Sequence, residues 1–278
     1  MKSVNKGYTK NLVSVIIPAY NVEMFIGLCL ESILKQSYLN VEIIVVYVYS
    51  SDKTLSILNK YADHIKLIKV RRKTMPAIAR NLGLARAKGE YVAFCDGDDF
   101  FTPDKIEKQV AILEQNEDIG LVYTDYILAD AGGKEITRIQ LPDWDRQRWL
   151  SNKFDIPMSS VFVRREILDD IAENGRYFDE KLVACEDFDL LMRLAKKTIF
   201  ARAPFFLTYY TRHEGQLSED MMKTIIMETK VLIKHGLYSR IIPTWLLELA
   251  KMVLTKIIKN PMIGFGFFFK NRSVKDKR

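Results

Sequence analysis

The chain has 278 residues, 48% of them hydrophobic, and a formal net charge of +7. This length fits one large α/β domain, or a domain of about 200 residues with an appendage, and the composition is that of a globular protein. No run of ~20 apolar residues occurs, which argues against a transmembrane helix, and three cysteines without Cys-x-x-Cys spacing argue against a disulfide scaffold or a zinc site and predict reduced, buried thiols.

Apolar runs alternate with segments of helical period over the first 116 residues. The predicted strands cover residues 13–20, 41–49, 64–70 and 90–96. The predicted helices cover residues 23–36, 53–62, 75–89 and 102–116, the third closed by Gly89 and the fourth opened by Thr102 as N-cap and Pro103 at its first position. The first apolar run is broken by Pro18, which indicates a core strand and not a signal peptide. Strands that are apolar on both faces predict a mostly parallel sheet covered by helices.

The pattern changes after residue 118. Two strands joined by an Ala-Asp-Ala-Gly-Gly turn are predicted within residues 120–140, and a strand that runs into a helix is predicted within 158–170. A helix at 185–197 and paired strands within 199–211 follow. From Glu219 onwards the sequence predicts helices to the end of the chain.

One predicted strand ends in three carboxylates, Asp96, Asp98 and Asp99. Parallel sheets bind ligands at the carboxyl ends of their strands, and clustered carboxylates repel one another unless a cation or hydrogen-bond donors compensate. Hard oxygen ligands of this kind suit Mg²⁺ or Mn²⁺. An EF-hand loop would need glycine where Phe101 stands, and a phosphate-accepting aspartate motif would need Thr or Val where Phe100 stands. An acidic turn without a metal remains the alternative.

A second acidic pair, Glu186 and Asp187, opens the predicted helix at 185–197. Carboxylates at a helix start are stabilised by the free backbone N–H groups and the helix dipole, which is sufficient reason for their presence. His213 lies in a polar turn after the predicted strands, where it could reach a metal or a phosphate.

Six segments in order resemble the landmarks of family 2 glycosyltransferases with the A-type fold: VSVIIPAYN, ESILKQSY, VEIIVV, ARNLGLARAKGEYVAFCDGDD, CEDFDLLMRL and TRHEGQLS. The resemblance implies an α/β catalytic domain at 1–218, with a Rossmann-like nucleotide-binding half at about 11–100 and an acceptor half at about 101–218, followed by a helical extension at 219–278. It also implies a nucleotide-diphosphate-sugar donor, Mn²⁺ or Mg²⁺, and inversion at the anomeric carbon.

The resemblance also assigns roles to residues of this chain. Asp187 would be the general base, with Glu186 positioning the base or the acceptor, and Asp98 and His213 would hold the metal. Asp99 would support the acidic turn. The donor would contact Pro18, Tyr20, Asp52, Arg80, Asp96, Gly97 and Asp98. One carboxylate can take the proton from the acceptor hydroxyl while the ion stabilises the departing diphosphate, so a second carboxyl group is unnecessary.

The chain departs from the family at Tyr47-Val48-Tyr49-Ser50, where Asp-Asp-Gly-Ser is usual, and at Thr74-Met75-Pro76, where a glycine is usual. Tyr47 or Tyr49 could stack on a base, but recognition of uracil through a carboxylate is lost. A UDP-sugar is the leading expectation for the donor. A catalytically weak or inactive scaffold on the same fold, which binds a glycan or partner transferases, is the alternative function.

The C-terminal segment combines apolar helices, an aromatic run and the basic tail KNRSVKDKR. An anchor on anionic membrane is the favoured interpretation, with core packing or a homo-oligomer interface as the alternatives. Such an anchor suits a bacterial enzyme of polysaccharide biosynthesis, cytoplasmic or peripheral on the inner face of the cell membrane, with a glycan or lipid-linked saccharide as acceptor. Nucleic-acid binding is disfavoured because the positive charge is local and adjoins an apolar run.

Overall fold

The computed structural model describes residues 7–151, 154–213 and 221–238. The chain divides into two compact units, residues 1–216 and residues 217–278. The predicted helices and basic tail beyond residue 238 lie outside the described residues, as does the polar turn after His213.

The amino-terminal part of the first unit is a parallel sheet with crossover helices. Its strands are β1 (Thr9–Ala19), β2 (Val41–Val48), β3 (Lys66–Val70) and β4 (Gly89–Phe94). Its helices are α1 (Ile26–Leu34), α2 (Thr54–Asn59) and α3 (Pro76–Leu84). The strands lie in the order β3-β2-β1-β4, and every neighbouring pair is parallel. The predicted alternation of strand and helix is confirmed here, and both faces of β1 and β2 are buried as expected for a covered sheet.

The second part of this unit extends the same sheet with mixed strands. Its strands are β5 (Phe100–Phe101), β6 (Ile119–Ala129), β7 (Glu135–Ile139), β8 (Phe162–Arg164) and β9 (Ile199–Thr211). Its helices are α4 (Lys105–Gln115), α5 (Arg146–Ser151), α6 (Arg165–Asp170) and α7 (Glu186–Leu194), with a 3₁₀ turn at Met158–Ser160. The sheet continues as β4-β8-β6-β9-β5, and β7 pairs with β6. Strand β8 is antiparallel to both neighbours, β6 is parallel to β9, and β5 is antiparallel to β9.

The largest buried cluster joins β1, β2 and β4 to helices α1 and α4. It includes Ile26 and Leu30 of α1 and Ile106, Val110 and Leu113 of α4. Helix α1 begins seven residues after the end of β1, and α4 begins eleven residues after the end of β4, so the loop after each strand leads into a helix that packs on the sheet. Cys29 and Cys95 are buried as predicted, whereas Cys185 is only half-buried at the start of α7.

Three details of the prediction are wrong. Gly89 does not close α3 but opens β4, where a Cβ would lie 2.6 Å from the carbonyl oxygen of Leu12. Helix α4 begins at Lys105, with Thr102 donating its hydroxyl to Asp104 at 2.9 Å instead of capping the helix. The predicted paired strands after residue 198 are a single long strand, β9, which shifts register as it runs along β6.

The described part of the second unit is one helix, α8 (Met221–Lys234). It ends before Gly236, whose φ of +74° is the left-handed conformation common just after a helix. Of the helices in the described residues, none is long and apolar enough to span a bilayer.

Candidate active site

The acidic turn after β4 is held by its last aspartate. Asp99 is buried, with its Oδ2 accepting a hydrogen bond from Ser159 Oγ at 2.5 Å and its Oδ1 accepting one from the Thr211 backbone N–H at 2.9 Å. Ser159 Oγ in turn accepts the Asp96 N–H at 3.0 Å. The Asp99 N–H donates to the Asp96 carbonyl, which closes the turn. Asp99 therefore ties the turn to the 3₁₀ segment and to the end of β9.

Gly97 allows the same turn to lie against the end of β1. A Cβ at this position would lie 2.9 Å from the Pro18 carbonyl oxygen and 3.3 Å from the side chain of Val22. Backbone atoms cannot move away as a flexible side chain can, so a larger residue would push the turn from β1. Pro18 pairs with Val46 across β1 and β2, so Gly97 also fixes the distance from the acidic turn to the predicted donor edge.

Asp98 and His213 form the pair predicted to hold a metal. Their Oδ2 and Nε2 atoms are 2.9 Å apart, and both side chains are about one-fifth exposed. Burial and the charge of Asp96 raise the pKa of Asp98 above its usual value, while the hydrogen bond from His213 lowers it. Among the described residues, no group of three or more carboxylate, imidazole or thiolate ligands is placed to enclose an ion.

Arg80 joins the acidic turn to the start of α7. Its Nη2 contacts Asp96 Oδ1 at 2.6 Å and its Nη1 contacts Glu186 Oε1 at 2.7 Å. Burial by itself would lower the pKa of Arg80. The negative charges of Asp96, Glu186 and Asp187 have the larger effect together, so the pKa is raised above its usual value. The guanidinium is a fixed positive centre between the two acidic landmarks of the sequence.

Helix α7 places the predicted base beside this centre. Cys185 precedes it in the left-handed conformation, with φ of 59°, and the helix begins at Glu186. Glu186 is buried, and burial together with Asp187 raises its pKa, against the opposing effect of Arg80. Asp187 is half-buried, and its Oδ1 accepts the Phe188 N–H at 2.7 Å. Asp187 is therefore the more accessible carboxylate of the pair.

The unusual end of β2 satisfies its own polar groups. Tyr47 is 6% exposed and belongs to the core, and its hydroxyl accepts the Ser50 N–H at 3.0 Å. The Ser50 hydroxyl donates to the Val48 carbonyl at 2.7 Å and accepts the Asn21 N–H at 3.0 Å. Tyr49 is 63% exposed. Of the two tyrosines predicted to stack on a base, only Tyr49 is therefore accessible.

Asp52 links this end of β2 to the loop after β1. Its Oδ1 accepts the Thr54 N–H at 3.0 Å and its Oδ2 accepts the Glu23 N–H at 2.9 Å. Glu23 reciprocates by accepting the Lys53 N–H at 2.7 Å. Desolvation raises the pKa of Asp52, but these hydrogen bonds outweigh it and hold the pKa below its usual value. Tyr20, in the same loop, is 38% exposed, and Lys73 Nζ lies 5.1 Å from its ring centroid.

The predicted site residues therefore fall into two groups within the first unit. One group, around the acidic turn, contains Asp96, Gly97, Asp98, Arg80, Glu186, Asp187 and His213. The other, at the ends of β1 and β2, contains Pro18, Tyr20 and Asp52, and Gly97 packs against Pro18 to connect them.

Sequence reasoning missed three residues that hold this arrangement. Ser159 bonds both Asp96 and Asp99. Asn81 uses its amide to bond the backbone of Tyr177 and Phe178 and the side chain of Glu180, all in the segment before α7. Phe25 stacks on His213. Of these three, only Asn81 could have been suspected from the sequence, because it directly follows Arg80 in the segment that resembles the family.

Several known proteins are similar to this chain in sequence. The family described as Glycosyl transferase family 2 matches residues 14–172, more than half of the chain. An uncharacterized glycosyltransferase of Haemophilus influenzae is 38% identical over 128 residues, which are 45% of this chain and 51% of that protein. Escherichia coli WfaP, a UDP-Glc:alpha-D-GlcNAc-diphosphoundecaprenol beta-1,3-glucosyltransferase, is 34% identical over 229 residues, which are 81% of this chain and 87% of WfaP. The chain thus spans about half of the first relative and most of the second.

Solved structures share the fold at lower identity. TarS 1–349 of S. aureus in complex with UDP-GlcNAc has a TM-score of 0.66 and 22% identity, covering 80% of this chain and 66% of that chain. The mannosyltransferase PcManGT of Pyrobaculum calidifontis, in complex with GDP-Man and Mn²⁺, has a TM-score of 0.63 and 18% identity, covering 94% of this chain and 81% of that chain. These similarities confirm the A-type glycosyltransferase fold. The family match and the similarity to WfaP establish that the chain belongs to glycosyl transferase family 2.

Proposed function

We propose that the chain transfers a sugar, with inversion and with the help of a divalent ion, from a nucleotide-diphosphate donor to an acceptor hydroxyl. The observation that carries this proposal is the double contact of Arg80 with Asp96 and Glu186. It brings the donor-side turn and the start of α7 into one cluster, although 90 residues separate Asp96 from Glu186 in the sequence.

The residues present fit a divalent ion at Asp98 and His213. Asp98 would supply the oxygen ligand that Mg²⁺ and Mn²⁺ prefer, His213 would add a nitrogen ligand, and these ions typically leave further positions for water and phosphate oxygens. The turn concentrates three carboxylates, and their repulsion is relieved by added positive charge. When bound, the ion supplies the charge that stabilises the departing diphosphate. The Mn²⁺ present with GDP-Man in PcManGT supports the same interpretation.

Asp187 is proposed as the general base. Its carboxylate is half-buried at the start of α7, where it is accessible to accept a proton from an acceptor hydroxyl. The carboxylate of Glu186 is paired with Arg80. Because Glu186 precedes Asp187 in α7, we propose that this ion pair holds the start of the helix and so positions Asp187. The acceptor hydroxyl would lose its proton to Asp187 while its oxygen bonds to the anomeric carbon on the face opposite the leaving diphosphate, which produces inversion.

The donor is proposed to be a nucleotide-diphosphate sugar, with a UDP-sugar as the leading candidate. One TarS structure is in complex with UDP-GlcNAc and another with UDP, and the name of WfaP specifies UDP-Glc. The donor would lie along Pro18, Tyr20, Asp52, Asp96 and Gly97. Because the end of β2 carries no carboxylate toward the base, we propose that stacking on Tyr49 or Tyr20 replaces that contact.

The acceptor is proposed to be a glycan or a lipid-linked saccharide in polysaccharide biosynthesis. WfaP is named for transfer to a diphosphoundecaprenol-linked sugar, and a Bacillus subtilis relative with 36% identity over 132 residues is named for teichuronic acid biosynthesis. We propose residues 1–218 as the catalytic domain, acting in the cytoplasm or on the inner face of the cell membrane. The segment 219–278 would provide the membrane or homo-oligomer contact.

Replacement of the proposed base tests the mechanism. Asp187→Asn keeps the size of the side chain but removes the proton acceptor, so kcat should fall about 10²- to 10⁴-fold. The Kd of the nucleoside diphosphate, measured by calorimetry with Mn²⁺, should change less than about twofold. The donor for the assay is first chosen by screening UDP- and GDP-sugars with the wild type.

A matched control and the contrary outcomes complete this test. Glu166 is an exposed acidic residue in the first turn of α6, so Glu166→Gln should retain wild-type kcat. Normal transfer by Asp187→Asn would show that another group is the base. No turnover by the wild type with any donor would favour the scaffold function, to which the neutral end of β2 already points.

A further inference from the structure

The ring of Phe25 stacks on the imidazole of His213. The ring centroids are 4.5 Å apart and the planes are inclined by 25°. The Nε2 atom of the same imidazole lies 2.9 Å from Asp98 Oδ2. The histidine ring is therefore held on one face by an aromatic ring while one edge meets the carboxylate.

We infer that Phe25 is a positioning residue for the metal site: it fixes the orientation in which His213 presents Nε2 beside Asp98. This inference rests on the metal-dependent function proposed above. Histidine rotates about two side-chain bonds, and the last of these has a broad preference. A stacked ring restricts that rotation, so the imidazole is arranged for a ligand before the ligand arrives.

The position of Phe25 is itself fixed by the backbone around it. Its N–H donates to the Val22 carbonyl at 3.0 Å, and its carbonyl accepts the Cys29 N–H at 3.0 Å in the first turn of α1. The Val22 N–H donates to the buried Thr54 Oγ1 at 2.9 Å. Phe25 is thus attached to the start of α1 and, through Val22, to the start of α2.

This attachment connects the two groups of site residues. Phe25 follows the loop that contains Tyr20 and the Glu23 N–H bound by Asp52. His213 lies two residues after the end of β9. The stack therefore lets the loop that is proposed to contact the donor base also set the direction of a side chain proposed to act at the diphosphate.

The size of the expected effect follows from the energy of aromatic pairs. Stacks of this kind contribute enough to change an equilibrium about threefold to tenfold. Phe25→Leu removes the ring and keeps an apolar side chain, so it should weaken Mn²⁺ binding by that factor. Phe25→Tyr keeps the ring and should restore wild-type binding.

Nuclear magnetic resonance of histidine provides a readout that does not depend on activity. The chain contains three histidines, so ring-labelled full-length protein gives three sets of signals, and His213→Gln identifies the set that belongs to His213. The Phe25 ring should shift the His213 signals upfield, and Phe25→Leu should abolish that shift. Addition of Mn²⁺ alone should broaden the His213 signals of the wild type before those of His64 and His235.

The quantity compared between the wild type and each variant is the Mn²⁺ concentration at which the His213 signals reach half of their maximal broadening. Phe25→Leu should need about threefold to tenfold more, and Phe25→Tyr the same as the wild type. Trp144→Leu is the matched control, because Trp144 is also half-buried and stacks on Phe200 at 4.1 Å near the start of β9, whereas His213 lies beyond the end of that strand. Phe25→Met also removes the ring but has a more flexible side chain that can fill irregular space, and it replaces Phe25→Leu if that variant does not fold.

Two results would overturn the inference, and they are distinguishable. If the wild-type signals of His213 broaden with Mn²⁺ and Phe25→Leu needs the same concentration, Phe25 does not position the histidine, whereas the proposed metal site stands. If Mn²⁺ leaves the wild-type signals of His213 sharp, the ion does not bind there, and both the metal assignment and the role of Phe25 are wrong.

Discussion

Two buried basic residues, Arg80 and Lys105, are accommodated in opposite ways. Arg80 is 5% exposed and contacts two carboxylates, Asp96 and Glu186. Lys105 is fully buried, and its Nζ donates to Gln109 Oε1 at 2.7 Å and lies 4.0 Å from the centroid of the Phe101 ring. Within the described ranges, no carboxylate lies at ion-pair distance from Lys105.

The pKa values of the two groups diverge accordingly. The negative charges near Arg80 outweigh burial and raise its pKa. Burial lowers the pKa of Lys105 to about 7. Arg80 therefore keeps its positive charge because two carboxylates pair with it. Lys105 can be buried without such a partner because it can lose its proton. In this chain, the buried basic residue that contacts two carboxylates lies at the candidate site, and the one without them lies in the core.

The largest expected effect comes from breaking the paired region. Arg80→Met leaves Asp96 and Glu186 without their cation, and removal of one partner of a buried ion pair typically costs about 3–5 kcal/mol. The free energy of unfolding, measured by urea denaturation at pH 7, should fall by that amount. Transfer should fall as well, because the acidic turn and the start of α7 lose their common contact.

The lysine replacement separates charge from geometry at the same position. Arg80→Lys restores one positive charge but provides a single ammonium instead of a planar fork with two contacts. Its stability should lie between those of the wild type and Arg80→Met, with transfer recovered less than stability. Equal stability of wild type and Arg80→Met would mean that the ion pair contributes nothing to folding.

The second effect is a pH dependence at the unpaired cation. The unfolded chain keeps the Lys105 proton up to the ordinary pKa of 10.5, whereas the folded protein releases it at about 7. Between these values the unfolded state binds more protons, so the stability of the wild type should rise with pH, and below about 7 this contribution is flat. Relative to Lys105→Met, the gain should be about 1.4 kcal/mol per pH unit within the window.

This difference is measured by urea denaturation of both proteins from pH 6 to pH 9, so that other titrating groups cancel. Lys108→Met is the control on the same helix, since the Lys108 side chain is 36% exposed and pairs with Asp104 at 2.5 Å. Its effect on stability should stay below about 1 kcal/mol. A constant difference between wild type and Lys105→Met across the pH range would show that Lys105 does not change protonation between folded and unfolded states.

The sequence predicted those features that depend on local pattern. Strands β1 to β4 and their helices follow from apolar runs and helical period, and the placement of Asp96 at a strand end follows from the direction of a parallel strand. The hairpin of β6 and β7 follows from its glycine-containing turn. Arg80 and Asp187 were predicted from the segments that resemble family 2 glycosyltransferases. The spacing of apolar residues would not have distinguished them from ordinary surface charges.

Contacts between distant segments could not be predicted in the same way. Ser159 is 60 residues from Asp99, and Phe25 is almost the whole first unit away from His213 along the chain. A lone serine or phenylalanine carries no signal for such a contact. The single strand β9 was missed because its middle residues, Pro204 to Phe206, look like a break, whereas register shifts against β6 accommodate them.

The smallest effect is expected at the end of β2, the neutral counterpart of the Arg80 cluster. Here the hydroxyl of Tyr47 accepts the Ser50 N–H at 3.0 Å, and no charged group takes part in this contact. Tyr47→Phe removes that acceptor and should lower the free energy of unfolding by about 1 kcal/mol. The KM of the donor should not change, because the ring stays in the core.

Tyr49→Ala is the informative contrast at the exposed neighbour. Tyr49 is 63% exposed, so its removal should change stability by less than about 0.5 kcal/mol. If its ring stacks on the donor base, the KM of the donor should rise, because stacking of a base on an aromatic side chain contributes about 1–3 kcal/mol. An increase in KM for Tyr47→Phe but not for Tyr49→Ala would place the base against the core tyrosine and reverse this assignment.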